Sequence, residues 1–145
     1  SDFHRLKPDI AIIRAVRVSR ERIDATLKSL DELIHTVPVR ACLLDAFVAT
    51  EYGGTGVTVD QRLIECYFER DRPRLIVAGG LTPDNVAQII DNTQPWGVDT
   101  ASGVESSPGT KDPIKMASFL QQCRTAANAS GSQSLSRFQN PHVLE

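Results

Sequence analysis

The sequence predicts an α/β fold: four strand–helix units on a parallel sheet, making half of an eight-stranded barrel. Three observations carry this. Short apolar, β-branched runs alternate four times with segments whose apolar residues recur every three or four positions. The connections are short and show no sign of hairpins, so consecutive strands are joined by crossovers and run parallel. Finally, a complete barrel of this kind takes about 200 to 250 residues, whereas 145 residues offer half the units.

The elements follow in order. Ile10–Val18 is nearly continuously apolar, as expected for a strand covered on both faces. Ser19 is a candidate N-cap for a helix whose buried stripe is Ile23, Leu27, Leu30 and Ile34. Pro38 ends that helix, and Val39–Asp45 is a second strand finishing on a carboxylate. The glycine-rich loop Tyr52–Thr58 leads into a helical segment from about Asp60 to Phe68. The loop is not a nucleotide P-loop, because Val57 stands where the lysine is required; a loop that closes over a ligand is the better reading. Arg74–Ala78 is the third strand, stopped by Gly79-Gly80, and Thr82-Pro83-Asp84 caps a helix with Val86, Ile89 and Ile90 as its stripe.

Trp96-Gly97-Val98 reads as a short buried fourth strand. After it, Asp99–Asp112 packs an acid, a tight turn at Ser102-Gly103 and a helix start at Asp112-Pro113 into fourteen residues, a pattern suited to an anion. The last helix presents Met116, Leu120 and Cys123 as a core stripe, and residues 128–145 form a polar, disordered tail beyond a half-barrel domain of residues 1–127.

Composition narrows the function. A net charge of −2 provides no electrostatic footprint for nucleic acid or an anionic membrane. No apolar run approaches a membrane span and the N-terminal residues lack a signal-peptide core, so a cytoplasmic chain is expected. Cys42, Cys66 and Cys123 are read as buried free thiols without metal-ligand spacing, and with His4, His35 and His142 scattered, no His-based metal site is expected. In parallel α/β folds ligands gather at the carboxyl ends of the strands, which is where Asp45, the Gly53–Gly56 loop, Gly79-Gly80 and Ser102-Gly103 all fall.

Taken together, Leu43-Leu-Asp45, Tyr52-Gly-Gly-Thr-Gly56 with Asp60, Ala78-Gly-Gly-Leu-Thr-Pro-Asp-Asn-Val86, and Gly97-Val-Asp-Thr-Ala-Ser-Gly-Val-Glu105 with Pro108-Gly-Thr-Lys-Asp112 closely resemble the phosphoribosylanthranilate isomerase family. The resemblance runs from about Leu6 to Ala126 and corresponds to the last four units of that family's (β/α)8 TIM barrel, its C-terminal half.

The resemblance implies an aldose–ketose isomerase, an intramolecular oxidoreductase of tryptophan biosynthesis. Its reaction is the Amadori rearrangement of N-(5-phosphoribosyl)anthranilate to 1-(2-carboxyphenylamino)-1-deoxyribulose 5-phosphate, without cofactor or metal. A general acid opens the ribose ring to a Schiff base and a general base removes the C2 proton. By position Asp45 matches the general acid. Gly79, Gly80, Ser102 and Gly103 match the turns that hold the substrate phosphate, Gly53, Gly54, Thr55 and Gly56 the substrate loop, and Asp99 a carboxylate near the site.

The family's general base, a cysteine ending its first strand, and an arginine that recognises the anthranilate carboxylate have no counterpart here, and Cys42, three residues before Asp45, is not a substitute. Val57, Gln61 and Thr100-Ala101 depart from the family's usual residues. The chain alone is therefore expected to be inactive, and its open edges to be met by a missing N-terminal half-barrel or by self-association. The rival reading is a non-catalytic phosphate-binding half-barrel module.

Overall fold

A computed structural model describes residues 10–48 and 58–131. The Gly53–Gly56 loop and the tail beyond residue 131 lie outside the described residues. Four strands, β1 (Ile12–Arg17), β2 (Val39–Asp45), β5 (Arg74–Ala78) and β6 (Gly97–Val98), form one sheet in the order β1-β2-β5-β6. Every pairing in it is parallel. Spatial order thus follows chain order, each strand lying beside the one before it. Helices α1 (Ile23–Ile34), α2 (Gln61–Phe68) and α3 (Val86–Thr93) make the crossovers, and α4 (Pro113–Gly131) follows the last strand.

Strand alternation sorts the sheet into two faces. Cys42 and Leu44 of β2 and Leu75 and Val77 of β5 point into a core shared with Leu27 and Leu30 of α1, Leu63, Ile64 and Tyr67 of α2, Val86 and Ile89 of α3, and Phe119 of α4. The alternate residues form rows across the other face: Ala15, Leu43, Ile76 and Gly97 in register, then Arg17, Asp45 and Ala78 at the carboxyl ends.

Several expectations are corrected. β1 is not covered on both faces: it occupies an edge of the sheet, and Ile13 is 55% exposed. Trp96 likewise precedes an edge strand, is exposed rather than buried, and lies beneath the Arg74 guanidinium, 5.3 Å from its ring centre. Hairpins are present, because short antiparallel pairs form within the loops: β3 (Phe47–Val48) with β4 (Thr58–Val59), and β7 (Glu105–Ser107) with β8 (Thr110–Lys111).

Ser19 caps no helix by its side chain; its carbonyl accepts from Arg22 N in a turn preceding α1. Thr82 caps the turn leading into α3, its Oγ1 accepting from Asp84 N (3.3 Å) and its carbonyl from Asn85 N and Val86 N, while the helix itself starts one turn later at Val86. On α4 the buried positions are Phe119 and Ala126, with Cys123 partly buried, while Met116 and Leu120 are exposed. That helix also continues through 128–131, carried on by Ala126 and Ala127 before this stretch and Ala129 within it, residues of high helix propensity, so its end passes the expected start of the tail. Among the described residues no helix is long and apolar enough to cross a membrane.

Candidate active site at the carboxyl ends of the strands

A cleft of about 420 Å³ opens at the carboxyl ends of the sheet, lined by Arg17, Leu43, Asp45, Ala78, Gly79, Gly80, Asp99, Thr100, Ala101, Ser102 and Gly103. Six residues singled out in the sequence, Asp45, Gly79, Gly80, Asp99, Ser102 and Gly103, thus share one wall. The Gly53–Gly56 loop follows β2 in sequence but lies outside the described residues.

Backbone hydrogen bonding explains the convergence. Beyond the assigned strands the parallel ladder continues through Val18 N to Asp45 O (3.1 Å), Ala46 N to Ala78 O (3.1 Å) and Asp99 N to Val77 O (2.9 Å). The four chain segments therefore leave the sheet at one level. Asp45, the last residue of β2, is about one-third exposed and is held through Oδ2 by Arg17 Nε at 3.2 Å. Its immediate predecessor Leu44 is fully buried on the helix face, so alternation alone delivers the carboxylate to the cleft.

The third strand ends in a turn with φ of 99° at Gly79 and 65° at Gly80, a left-handed conformation that side chains disfavour. Asn85 fastens this turn: its Nδ2 donates to Gly80 O (3.0 Å) and its Oδ1 accepts from Thr82 N (2.8 Å). The fourth strand runs into a single 3₁₀ turn, Ser102–Val104. Thr100 Oγ1 donates to Leu81 O at 2.6 Å, tying this loop to the preceding one. A Cβ on Gly103 would lie 1.8 Å from that same carbonyl oxygen, so the two loops touch backbone to backbone.

The β7–β8 hairpin braces the second loop from outside. Lys111 Nζ donates to Ala101 O (2.7 Å) and to Glu105 Oε1 (2.9 Å), and the lysine holds the Glu105 carboxyl below its usual range. Asp112 caps α4 as expected, its Oδ1 accepting from Ile114 N (2.8 Å) and Lys115 N (3.2 Å). Sequence reasoning missed Arg17, Asn85, Thr100 and Lys111. Arg17 could have been found, since it aligns with Asp45 as the last residue of its own strand.

Cys42 faces the helix layer, fully buried, and burial pushes its thiol up, so it neither reaches the cleft nor forms a thiolate readily. Cys66 and Cys123 are partly buried and are raised by desolvation as well. Among the described residues no group of three or more His, Cys, Asp or Glu side chains is placed to hold a metal ion. The cleft thus combines an arginine-held carboxylate, a second acid and two backbone turns, which suits proton transfer on a small anionic ligand.

The family model for N-(5'-phosphoribosyl)anthranilate (PRA) isomerase matches residues 1–122. The chain is 41% identical over 113 residues to the N-(5'-phosphoribosyl)anthranilate isomerase of Chlorobaculum parvum, covering 77% of this chain and 51% of that protein. It is similar to the crystal structure of phosphoribosyl anthranilate isomerase from Thermotoga maritima, with a TM-score of 0.62 and 36% identity over 85% of this chain and 56% of that one. A further phosphoribosyl anthranilate isomerase structure, in complex with reduced 1-(o-carboxyphenylamino)-1-deoxyribulose 5-phosphate, aligns with a TM-score of 0.60 and 32% identity, covering 85% of this chain and 53% of that one. The chain spans about half the length of the relatives it matches.

Proposed function

The chain belongs to the phosphoribosylanthranilate isomerase family, and from that premise we propose that it supplies the acid-bearing, phosphate-holding C-terminal half of a (β/α)8 isomerase barrel. The reaction is the Amadori rearrangement of N-(5-phosphoribosyl)anthranilate in tryptophan biosynthesis, and a cytoplasmic location follows from that pathway. One observation supports the reading above others: Asp45 and the Gly79-Gly80 and Ser102-Gly103 turns line one cleft at the carboxyl ends of consecutive parallel strands.

In this reading the substrate phosphate sits against the two turns, where backbone N–H groups and the absence of a Cβ admit an anion closely. Asp45, one strand away, gives a proton to the ribose ring oxygen as the ring opens to the Schiff base. Removal of the C2 proton then yields the enolamine. That step falls to a base outside the described cleft, the cysteine that the family carries on its first strand. Asp99 stands at the end of β6 beside the phosphate turn, where it shapes the sugar pocket.

The chain alone should show no turnover of N-(5-phosphoribosyl)anthranilate, whereas the chain mixed with an N-terminal half from a relative should. Asp45→Asn in that mixture should lower kcat by about 10²-fold or more while leaving ligand affinity nearly unchanged. Turnover by the unmixed chain would overturn the assignment of the base to the other half. A mixture that binds ligand but never turns over would instead favour a phosphate-binding module.

A further inference from the structure

The two glycine turns of the cleft carry donors that the fold leaves unused. Among the described residues the backbone N–H groups of Gly79, Gly80, Ser102 and Gly103 make no hydrogen bond, and all of these residues line the cleft. The carbonyls beside them are spent instead on side chains. Asn85 Nδ2 donates to Gly80 O (3.0 Å), Lys111 Nζ to Ala101 O (2.7 Å) and Thr100 Oγ1 to Leu81 O (2.6 Å). Fastening a carbonyl on one side of a trans peptide aims the following N–H to the other side.

The three bonds have different reach. Asn85 fastens the first turn within its own loop, and Lys111 fastens the second to its own hairpin. Thr100 makes the one side-chain hydrogen bond that joins the two loops, among the described residues. Leu81 is fully buried, and there the Thr100 hydroxyl is its carbonyl's one donor. Gly103 lies over the same oxygen, so the gap between the turns is set where one hydroxyl and one bare Cα meet one carbonyl. Thr100 also belongs to the pair that departs from the family's usual residues, which makes this tie separate from the pattern that marks the turns.

We propose that Thr100 is a positioning residue for anion binding, its hydroxyl holding the two turns at the separation where N–H groups of both reach one phosphate. The inference rests on the phosphate reading of the cleft and deepens it, because it makes the two turns one site. Without the hydroxyl, Leu81 O would be a buried acceptor lacking a donor. A water entering to satisfy it would push the loops apart, and the donors of one turn would lose the anion.

The test titrates inorganic phosphate into the full chain, followed by calorimetry and by amide NMR shifts. In the unsubstituted chain the amides of both turns should shift with one midpoint. Thr100→Val, close in shape but without the donor, should bind phosphate about 5-fold or more weakly, as expected for one neutral hydrogen bond. Its shifts should be confined to one turn. Thr100→Ser, which restores the hydroxyl, should recover affinity to within about 2-fold, a rescue that packing by the threonine methyl would not give. Thr100→Val binding as tightly as the unsubstituted chain, or Thr100→Ser binding as weakly as Thr100→Val, would overturn the role of Thr100 and leave the phosphate reading standing. One measurement needs no variant: at phosphate saturation the Leu81 carbonyl carbon should keep the downfield shift of a bonded carbonyl. An upfield move, marking a bond broken by the anion, would overturn the assignment even if Thr100→Val does not fold. If the unsubstituted chain binds no phosphate, the phosphate reading itself falls, and the role of Thr100 with it.

Discussion

At the scale of single residues, the close approach at Gly103 makes the sharpest prediction. A methyl group there would meet the Leu81 carbonyl oxygen at 1.8 Å, a backbone atom that cannot move aside as a side-chain tip can. Gly103→Ala should therefore cost on the order of 1–3 kcal/mol of stability as the two loops separate, measurable by urea unfolding. It should also weaken inorganic phosphate binding, since the turn opened by the methyl is the one proposed to hold the anion. A variant with unchanged stability and phosphate affinity would mean that the loops part freely. This residue shows what was legible beforehand: a glycine at this place in the pattern marked a turn, but that the turn leans on Leu81, whose carbonyl oxygen also accepts from Thr100 nineteen residues later, is a tertiary fact. Asn85 was hidden for the same reason, its side chain spent on a loop rather than on the helix it precedes.

Among the elements, one arginine locks α1 to α2. Arg72 grips Asp31 of α1 with Nε at 2.6 Å and Nη2 at 3.0 Å, donates through Nη1 to the carbonyls of Cys66 and Tyr67 near the end of α2, and stacks 5.6 Å above the Tyr67 ring. Removing it leaves Asp31 with Arg70 Nη1 alone (3.1 Å) and takes a donor from two carbonyls, so Arg72→Ala should destabilise the fold by about 2 kcal/mol, read from the shift of the denaturation midpoint. The Arg72 guanidinium holds the Asp31 carboxyl below its usual range. Its contribution is then complete above the unfolded value near pH 3.9 and fades as pH falls through the lower folded value. Stability measured from pH 6 down to pH 2 should drop over that acid range in the native chain, and Arg72→Ala should flatten this part of the decline.

The strands were readable at this scale because β-branched runs and terminal glycines are local signals; β2 and β5 have the bounds the sequence predicts. The face of α4 was not. Met116, Leu120 and Cys123 satisfy helical spacing as well as Phe119, Cys123 and Ala126 do, and only packing against α3 and the 3₁₀ turn decides which stripe goes inward.

Across the whole molecule, apolar surface remains open on several elements at once. Ile13 on the β1 edge, Trp96 beside β6 and Met116 and Leu120 on α4 are all exposed, and β1 has a partner strand on one side only in the described sheet. Such edges and patches favour association. Sedimentation velocity over a range of concentrations should show a species larger than one chain, and adding an N-terminal half from a relative should displace it. A well-folded monomer at every concentration would count against the half-barrel reading.

The alternation along β2 has a consequence of another kind. Cys42 and Leu44 support the interior while Leu43 and Asp45 border the cleft, so neighbouring letters of one short word answer to different demands. Inheritance can revise one set and spare the other. New ligand preferences can therefore arise at the odd-numbered positions of this strand without first reopening the question of whether the chain folds.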